Sequence, residues 1–144
     1  MIIYLDTSAL VKLYCREEGT DEVKAAVERA KTVSTSLLTF VETKSAFVRK
    51  HRDGGISSTV YQEISKQFQM DWREFVVIGV TDEIVLSAGA LVESDQLRAA
   101  DAIHLASAKK TQQVSGVETV FYVADRALER AAKAEGLAAT LVGV

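Results

Sequence analysis

The 144-residue chain has no proline, one cysteine and two histidines. Without proline there is no Pro-rich linker to divide it. The clearest break is the Gly54–Gly55 pair, which separates two helices rather than two domains. With Cys15 alone no intrachain disulfide can form, and the chain reads as cytoplasmic. Cys15 lies in an early helix beside Val11 and Tyr14 and reads as a small buried hydrophobe rather than a reactive thiol. No apolar run approaches the ~20 residues that a membrane span requires, so no membrane partner is expected. The N-terminus lacks a basic region and an apolar core, since Asp6 interrupts it at once, and no signal peptide is expected. An excess of positive charge is also missing: 17 Lys+Arg against 20 Asp+Glu leave a formal net charge of −3 and a pI of about 5.4. That argues against holding nucleic acid by bulk charge alone. It leaves open a nucleic-acid enzyme, because buried acids subtract from the net charge while a cation held among them attracts phosphate.

What is present suits a folded domain. Hydrophobic residues make up 48% and charged residues 26%, enough apolar side chain to offset the entropy of ordering. The length favours one compact domain over 1–144. Ile2–Leu5, Phe75–Val80 and Thr119–Val123 are predicted strands, with Phe75–Val80 the strongest of all. Thr32–Thr35 is a weak, short one and Thr140–Val142 a last one. Between them fall helices over Ser8–Cys15, a segment capped by Thr20, Leu37–Arg52 capped by Ser36, and a helix opened by Ser57 or Ser58. Further helices follow from Asp82 to about Val92 capped by Thr81, over Leu97–Lys110, and over Arg126–Glu135, stopped by Gly136. Apolar strands alternating with amphipathic helices imply a parallel sheet covered on both faces, an α/β fold whose ligands bind beyond the carboxyl ends of strands.

Most acids sit in first turns or loops, where a solvated surface explains them. Four do not. Asp6 follows the strand Ile2–Leu5 and precedes a helix; Asp125 repeats that arrangement after Thr119–Val123. Either could be a plain helix cap. Both would face one crevice if their strands are neighbours. Glu42 lies on a helix with Leu38 and Ala46 at i−4 and i+4, and Asp101 likewise lies between Leu97 and Leu105. A buried carboxylate needs a cation, a hydrogen-bond donor or a raised pKa, and a salt bridge from Arg49 to Glu42 is one ordinary solution. Four gathered carboxylates would repel unless something cationic lay between them. An all-oxygen donor set without a Cys/His cluster selects Mg²⁺ or Mn²⁺, and such a site suits phosphoryl chemistry. His104, at i+3 from Asp101, reads as a core histidine, a hydrogen-bond donor behind the site, or a ligand.

Four blocks carry a resemblance. Tyr4-Leu5-Asp6-Thr7-Ser8-Ala9-Leu10, Thr39-Phe40-Val41-Glu42, Leu97-Arg98-Ala99-Ala100-Asp101-Ala102-Ile103-His104-Leu105-Ala106 and Ala124-Asp125-Arg126 together resemble the PIN domain, and within it the VapC-type toxins of toxin–antitoxin pairs. The third block is the most specific. The resemblance spans essentially the whole chain. It implies a three-layer α/β/α fold with a central five-stranded parallel sheet, and a Mg²⁺ or Mn²⁺ site at Asp6, Glu42, Asp101 and Asp125. It also implies endoribonuclease activity on structured RNA such as tRNA or rRNA, a homodimer, and inhibition by a small VapB-type antitoxin. One position departs from the pattern. Val123 stands where Thr or Ser is common, so a hydroxyl that would orient water on the metal is absent.

Thr7 and Ser8 are candidates to hydrogen-bond a ligand or the phosphate. Arg49-Lys50-His51-Arg52 forms a basic run, and Lys12, Arg49, Lys50 and Arg52 are candidate contacts to the RNA backbone, with Arg16 and Lys44 as further cations. The run also suits a helix C-terminus for dipole reasons alone. Tyr61, Phe68 and Trp72 share a helical face that reads as core, or as a dimer or antitoxin groove. The alternatives to a toxin are a PIN nuclease of RNA processing and a catalytically weak binding module with the same fold. A haloacid-dehalogenase-type phosphatase is disfavoured, because its second Asp would fall where Ser8 stands. A dinucleotide or P-loop enzyme is disfavoured because the loop after the first strand has no glycine.

Overall fold

The computed structural model of the chain describes residues 1–143. Five parallel strands form one sheet in the order β3-β2-β1-β4-β5, namely β1 (Ile2–Leu5), β2 (Thr32–Ser36), β3 (Val76–Ile78), β4 (Thr119–Val123) and β5 (Ala138–Leu141). The helices are α1 (Thr7–Val11), α2 (Thr20–Arg29), α3 (Leu38–Arg52), α4 (Ser58–Trp72), α5 (Asp82–Asp95), α6 (Ala99–Ser115) and α7 (Arg126–Ala134). Side chains alternate across each strand. Tyr4, Phe121 and Val123 point into a core with α5, α6 and α7, while Ile3, Leu5 and Tyr122 point into a second core with α1 to α4. The result is the expected three-layer α/β/α fold with a five-stranded parallel sheet.

Strand strength differs from the sequence reading. β2 is an interior strand, although its residues Thr-Val-Ser-Thr-Ser look polar. Its hydroxyls satisfy themselves on the neighbouring backbone: Ser34 Oγ donates to the Ile3 carbonyl at 3.0 Å and Thr35 Oγ1 to the Leu5 carbonyl at 2.7 Å. Hydrogen-bonded hydroxyls can be buried where free ones cannot. The apolar run Phe75–Val80 yields only the three-residue edge strand β3, and Val76 is exposed. The last strand lies at Ala138–Leu141, two residues earlier at its start than expected.

Caps follow the sequence in part. Ser57 and Thr81 accept from the amides of Val60 and Ile84, as predicted. Gly19, not Thr20, caps α2. Thr20 is the first helical residue, and its buried hydroxyl instead accepts from Glu17 N and donates to the Cys15 carbonyl. Gly19 is required there: its φ is +93°, and a Cβ would stand 2.8 Å from Gly143 N. Ser36 precedes the cap residue Leu37, but its hydroxyl still accepts from Leu38 N at 3.0 Å. The predicted helix Ser8–Cys15 is shorter, ending at Val11 before a turn, and the predicted Leu97–Lys110 helix runs from Ala99 to Ser115.

Candidate active site

β1 and β4 are parallel neighbours, so the residues that follow them emerge on the same edge. From β1 the chain builds the sheet outward through β2 and β3 on one side; β4 and β5 lie on the other. The reversal of strand order opens a crevice at the carboxyl end of the sheet, the place where open α/β sheets bind ligands. A cleft of about 750 Å³ occupies it, and Asp6, Thr7, Ser8, Glu42, Asp101, His104 and Asp125 all line it. Two of these acids come from strand ends and two from helices α3 and α6. The four were separate in the sequence; tertiary structure brings them to one cleft.

For the strand-end acids, the cap and the site coincide. Asp6 Oδ1 accepts from Ala9 N at 2.9 Å and from Ser8 Oγ at 2.7 Å, and so caps α1. Asp125 Oδ1 accepts from Leu128 N at 2.9 Å and caps α7. Each cap occupies one oxygen and fixes the carboxylate, leaving the second oxygen available. Asp6 Oδ2 has no hydrogen-bond partner among the described residues, and Asp125 Oδ2 lies 3.9 Å from Arg98 Nη2. Arg98 Nε also donates to Asp101 Oδ2 at 3.3 Å, one helical turn away, so one guanidinium spans Asp101 and Asp125.

Glu42 is half-buried and does not pair with Arg49. Its Oε1 accepts from Thr7 Oγ1 at 2.5 Å and lies 2.9 Å from His104 Nε2. His104 is buried, and its other nitrogen, Nδ1, is 2.9 Å from the Tyr4 hydroxyl. His104 is therefore a buried, hydrogen-bonded side chain in the lining of the cleft. The bond between His104 of α6 and Glu42 of α3 crosses the carboxyl end of β1, joining the two helical layers.

Electrostatics single out Asp6. Burial raises its carboxyl above the usual value and the charge of Asp101 adds to this; the Ala9 amide and the Ser8 hydroxyl pull it back only in part. For Glu42, burial also raises the carboxyl, but hydrogen bonds from His104 and Thr7 outweigh it and leave the group below its usual value. The cleft thus holds one acid that resists ionisation and one whose charge is well supported.

Among the predicted cations, Lys12 needs correction. It is buried at the cleft wall, paired with Glu17 Oε1 at 3.0 Å and donating to the Glu18 carbonyl at 2.8 Å. It holds the turn after α1 and does not face solvent as a backbone contact would. Lys50 lines the cleft and pairs with Glu17 Oε2 at 3.3 Å. Arg49 lines the cleft and is exposed, whereas Arg52 lies outside it beside Asp53 at 3.7 Å. Val123 is fully buried in the core and does not line the cleft, so the missing hydroxyl is a feature of the core. Two site residues escaped the sequence reading. Arg98 was signalled by its i,i+3 spacing to Asp101. Tyr4 was signalled by a polar atom in an otherwise apolar strand, which must find a partner when buried.

The chain belongs to the PIN domain family, whose model matches residues 3–134. It is 29% identical over 135 residues to the ribonuclease VapC45 of Mycobacterium tuberculosis, covering 94% of this chain and 92% of that one. Its fold matches FitAcB from Neisseria gonorrhoeae, with a TM-score of 0.72, 14% identity and 95% of both chains covered. It also matches VapBC2 from Rickettsia felis, solved with a DNA fragment of its promoter, with a TM-score of 0.69, 13% identity and 99% of both chains covered. No helix among the described residues is long and apolar enough to cross a membrane.

Proposed function

We propose that the chain is a Mg²⁺- or Mn²⁺-dependent endoribonuclease and the toxin of a VapBC-type pair, acting in the cytoplasm on structured RNA such as tRNA or rRNA. The observation that carries this reading is the convergence of Asp6, Glu42, Asp101 and Asp125 from four segments on one cleft at the sheet's switch point. Likeness to the VapC ribonucleases supports RNA as the substrate class, and likeness in fold to VapBC2 supports an antitoxin partner.

The donor set fits a hard divalent ion: all four groups are carboxylates, and the buried Asp6 is disfavoured as an anion without a cation beside it. Among the described residues, no three such side chains stand close enough to clasp an ion unaided. An ion held there would keep several waters, as Mg²⁺ does. Asp6, Asp101 and Asp125 are the assigned ligands, with Glu42 completing the set or orienting the attacking water. The bound ion would polarise the phosphodiester and lower the pKa of water. Arg98, paired with Asp101 at 3.3 Å and 3.9 Å from Asp125, would compete with an ion for these two carboxylates. Ser8, exposed at the mouth of the cleft, and Arg49 are placed to meet phosphate. A homodimer and a VapB-type antitoxin are the partners of this reading.

Cleavage of total RNA tests it, with and without Mg²⁺, for the wild type and Asp101→Asn, with fragment ends sequenced. Cutting at defined sites that needs both the ion and Asp101 is expected; wild-type cutting by the variant sinks the assignment. Growth arrest on expression, relieved by a neighbouring gene's product, separates a toxin from a PIN nuclease of RNA processing.

A further inference from the structure

Tyr4 and His104 are both buried, and a buried imidazole needs partners for both nitrogens. The partners here are of different kinds. The carboxylate of Glu42 can only accept, so Nε2 carries the proton that joins them at 2.9 Å. Nδ1 faces the hydroxyl of Tyr4, also at 2.9 Å, and that hydroxyl can donate to it. The tyrosine is itself held edge-on against Phe121, with ring centroids 5.4 Å apart. Thr7 Oγ1 donates to the same Glu42 oxygen at 2.5 Å. Two donors therefore converge on Oε1.

We propose that Tyr4 and His104 are positioning residues for Glu42: Tyr4 fixes His104 as an Nε2–H donor, so that Glu42 offers the cleft its Oε2 alone and His104 is not a metal ligand. The proposal rests on Glu42 belonging to the reactive site described above. Outer partners of this kind set the orientation of a ligating carboxylate, and losing one typically costs about 10–100-fold in metal affinity or activity. The bond also ties α6 to α3 across the end of β1, so that Asp101 and Glu42 are set by one connected network.

The test compares His104→Gln, His104→Asn and Tyr4→Phe with the wild type and with Glu42→Gln. A glutamine amide can occupy the place of Nε2 and donate to Glu42; an asparagine amide reaches only the place of Nδ1. Both are polar and disturb the core similarly, so the pair decides the matter even where Tyr4→Phe fails to fold. Mn²⁺ binding is measured by calorimetry without RNA, and the imidazole nitrogens are followed by NMR in metal-free protein. His104→Asn should weaken Mn²⁺ binding by about 10–100-fold while His104→Gln stays near the wild type. The wild-type spectrum should show a protonated Nε2 and a bare, hydrogen-bonded Nδ1, and Tyr4→Phe should lose this single form. Equal losses for Gln and Asn, a protonated Nδ1 in the wild type, or a Tyr4→Phe variant with unchanged spectrum and Mn²⁺ affinity would each overturn the proposal. If Glu42→Gln binds Mn²⁺ and cleaves like the wild type, the Glu42 assignment falls and this proposal with it. If Glu42→Gln loses Mn²⁺ while Tyr4→Phe and His104→Asn keep it, only the positioning roles fall.

Discussion

Phe68 and Asp6 are about equally buried, yet their surroundings have little in common. Phe68 sits among Tyr14, Phe40, Phe47 and Trp72, with ring centroids 5.5 to 5.8 Å away and mostly edge-on contacts. Asp6 sits in a cleft with three other carboxylates, its charge opposed by burial and by Asp101. The aromatic cluster between α3 and α4 satisfies the apolar side chains it contains. The cleft holds charged groups where the fold alone would not choose them. The difference teaches that the two helical layers have different tasks: the α4 side supplies stability, and the carboxyl edge of the sheet spends some of it to keep acids together.

Four sets of substitutions put this contrast to the test. Phe68→Ala should have the largest effect, lowering stability by about 3–5 kcal/mol in denaturant melts; a small loss would mean that the aromatic cluster is not the main support. Asp101→Asn should come next. With Asp101 as a proposed ligand, the variant should hold the ion poorly and cleavage should fall by about 100-fold or more, while the melting curve holds or moves up. Smaller again is the charge reversal of the basic run. Arg49→Glu should weaken RNA binding and reduce the slope of log affinity against log salt by about one, whereas Arg52→Glu, outside the cleft, should leave both unchanged. Equal effects from the two would place the RNA path elsewhere.

The smallest effect concerns pH and metal-free protein. The Asp6 carboxyl binds its proton more tightly folded than unfolded, so the folded state holds more protons from about pH 4 upward. Its contribution to stability is present at low pH and is lost as pH rises. Asp6→Asn keeps the cap, since Asn caps as well as Asp, and should melt higher than the wild type at neutral pH. The gap should close on acidification. A variant that melts lower at neutral pH would show that Asp6 is not opposed by its surroundings.

Several features could be read directly from residue order. The strand Thr119–Val123 has the predicted bounds, because its apolar run is flanked by a cap acid and turn residues. Asp6 and Asp125 announced themselves by standing between an apolar strand and a helix. The errors arose where a side chain's partner lay far along the chain. β2 looked weak because its hydroxyls bond to β1, some thirty residues away in sequence. Phe75–Val80 reads as the strongest strand on its apolar content, while topology leaves β3 a short strand at the edge. Lys12 looked like a free cation because Glu17 and Glu18 fold back over it only after the turn that follows α1.

The α/β alternation, the apolar faces of strands and helices, and the four out-of-place carboxylates are legible in residue order, because they depend on periodicity and on local capping chemistry. It took the packed fold to make β1 and β4 neighbours and to set Arg98 across two of the acids. The same packing holds His104 between Tyr4 and Glu42. Each of these joins residues from different elements, and the physical reason is the same throughout. A crossover connection can place strands in more than one order, and a buried polar atom takes whichever partner the final packing brings within about 3 Å.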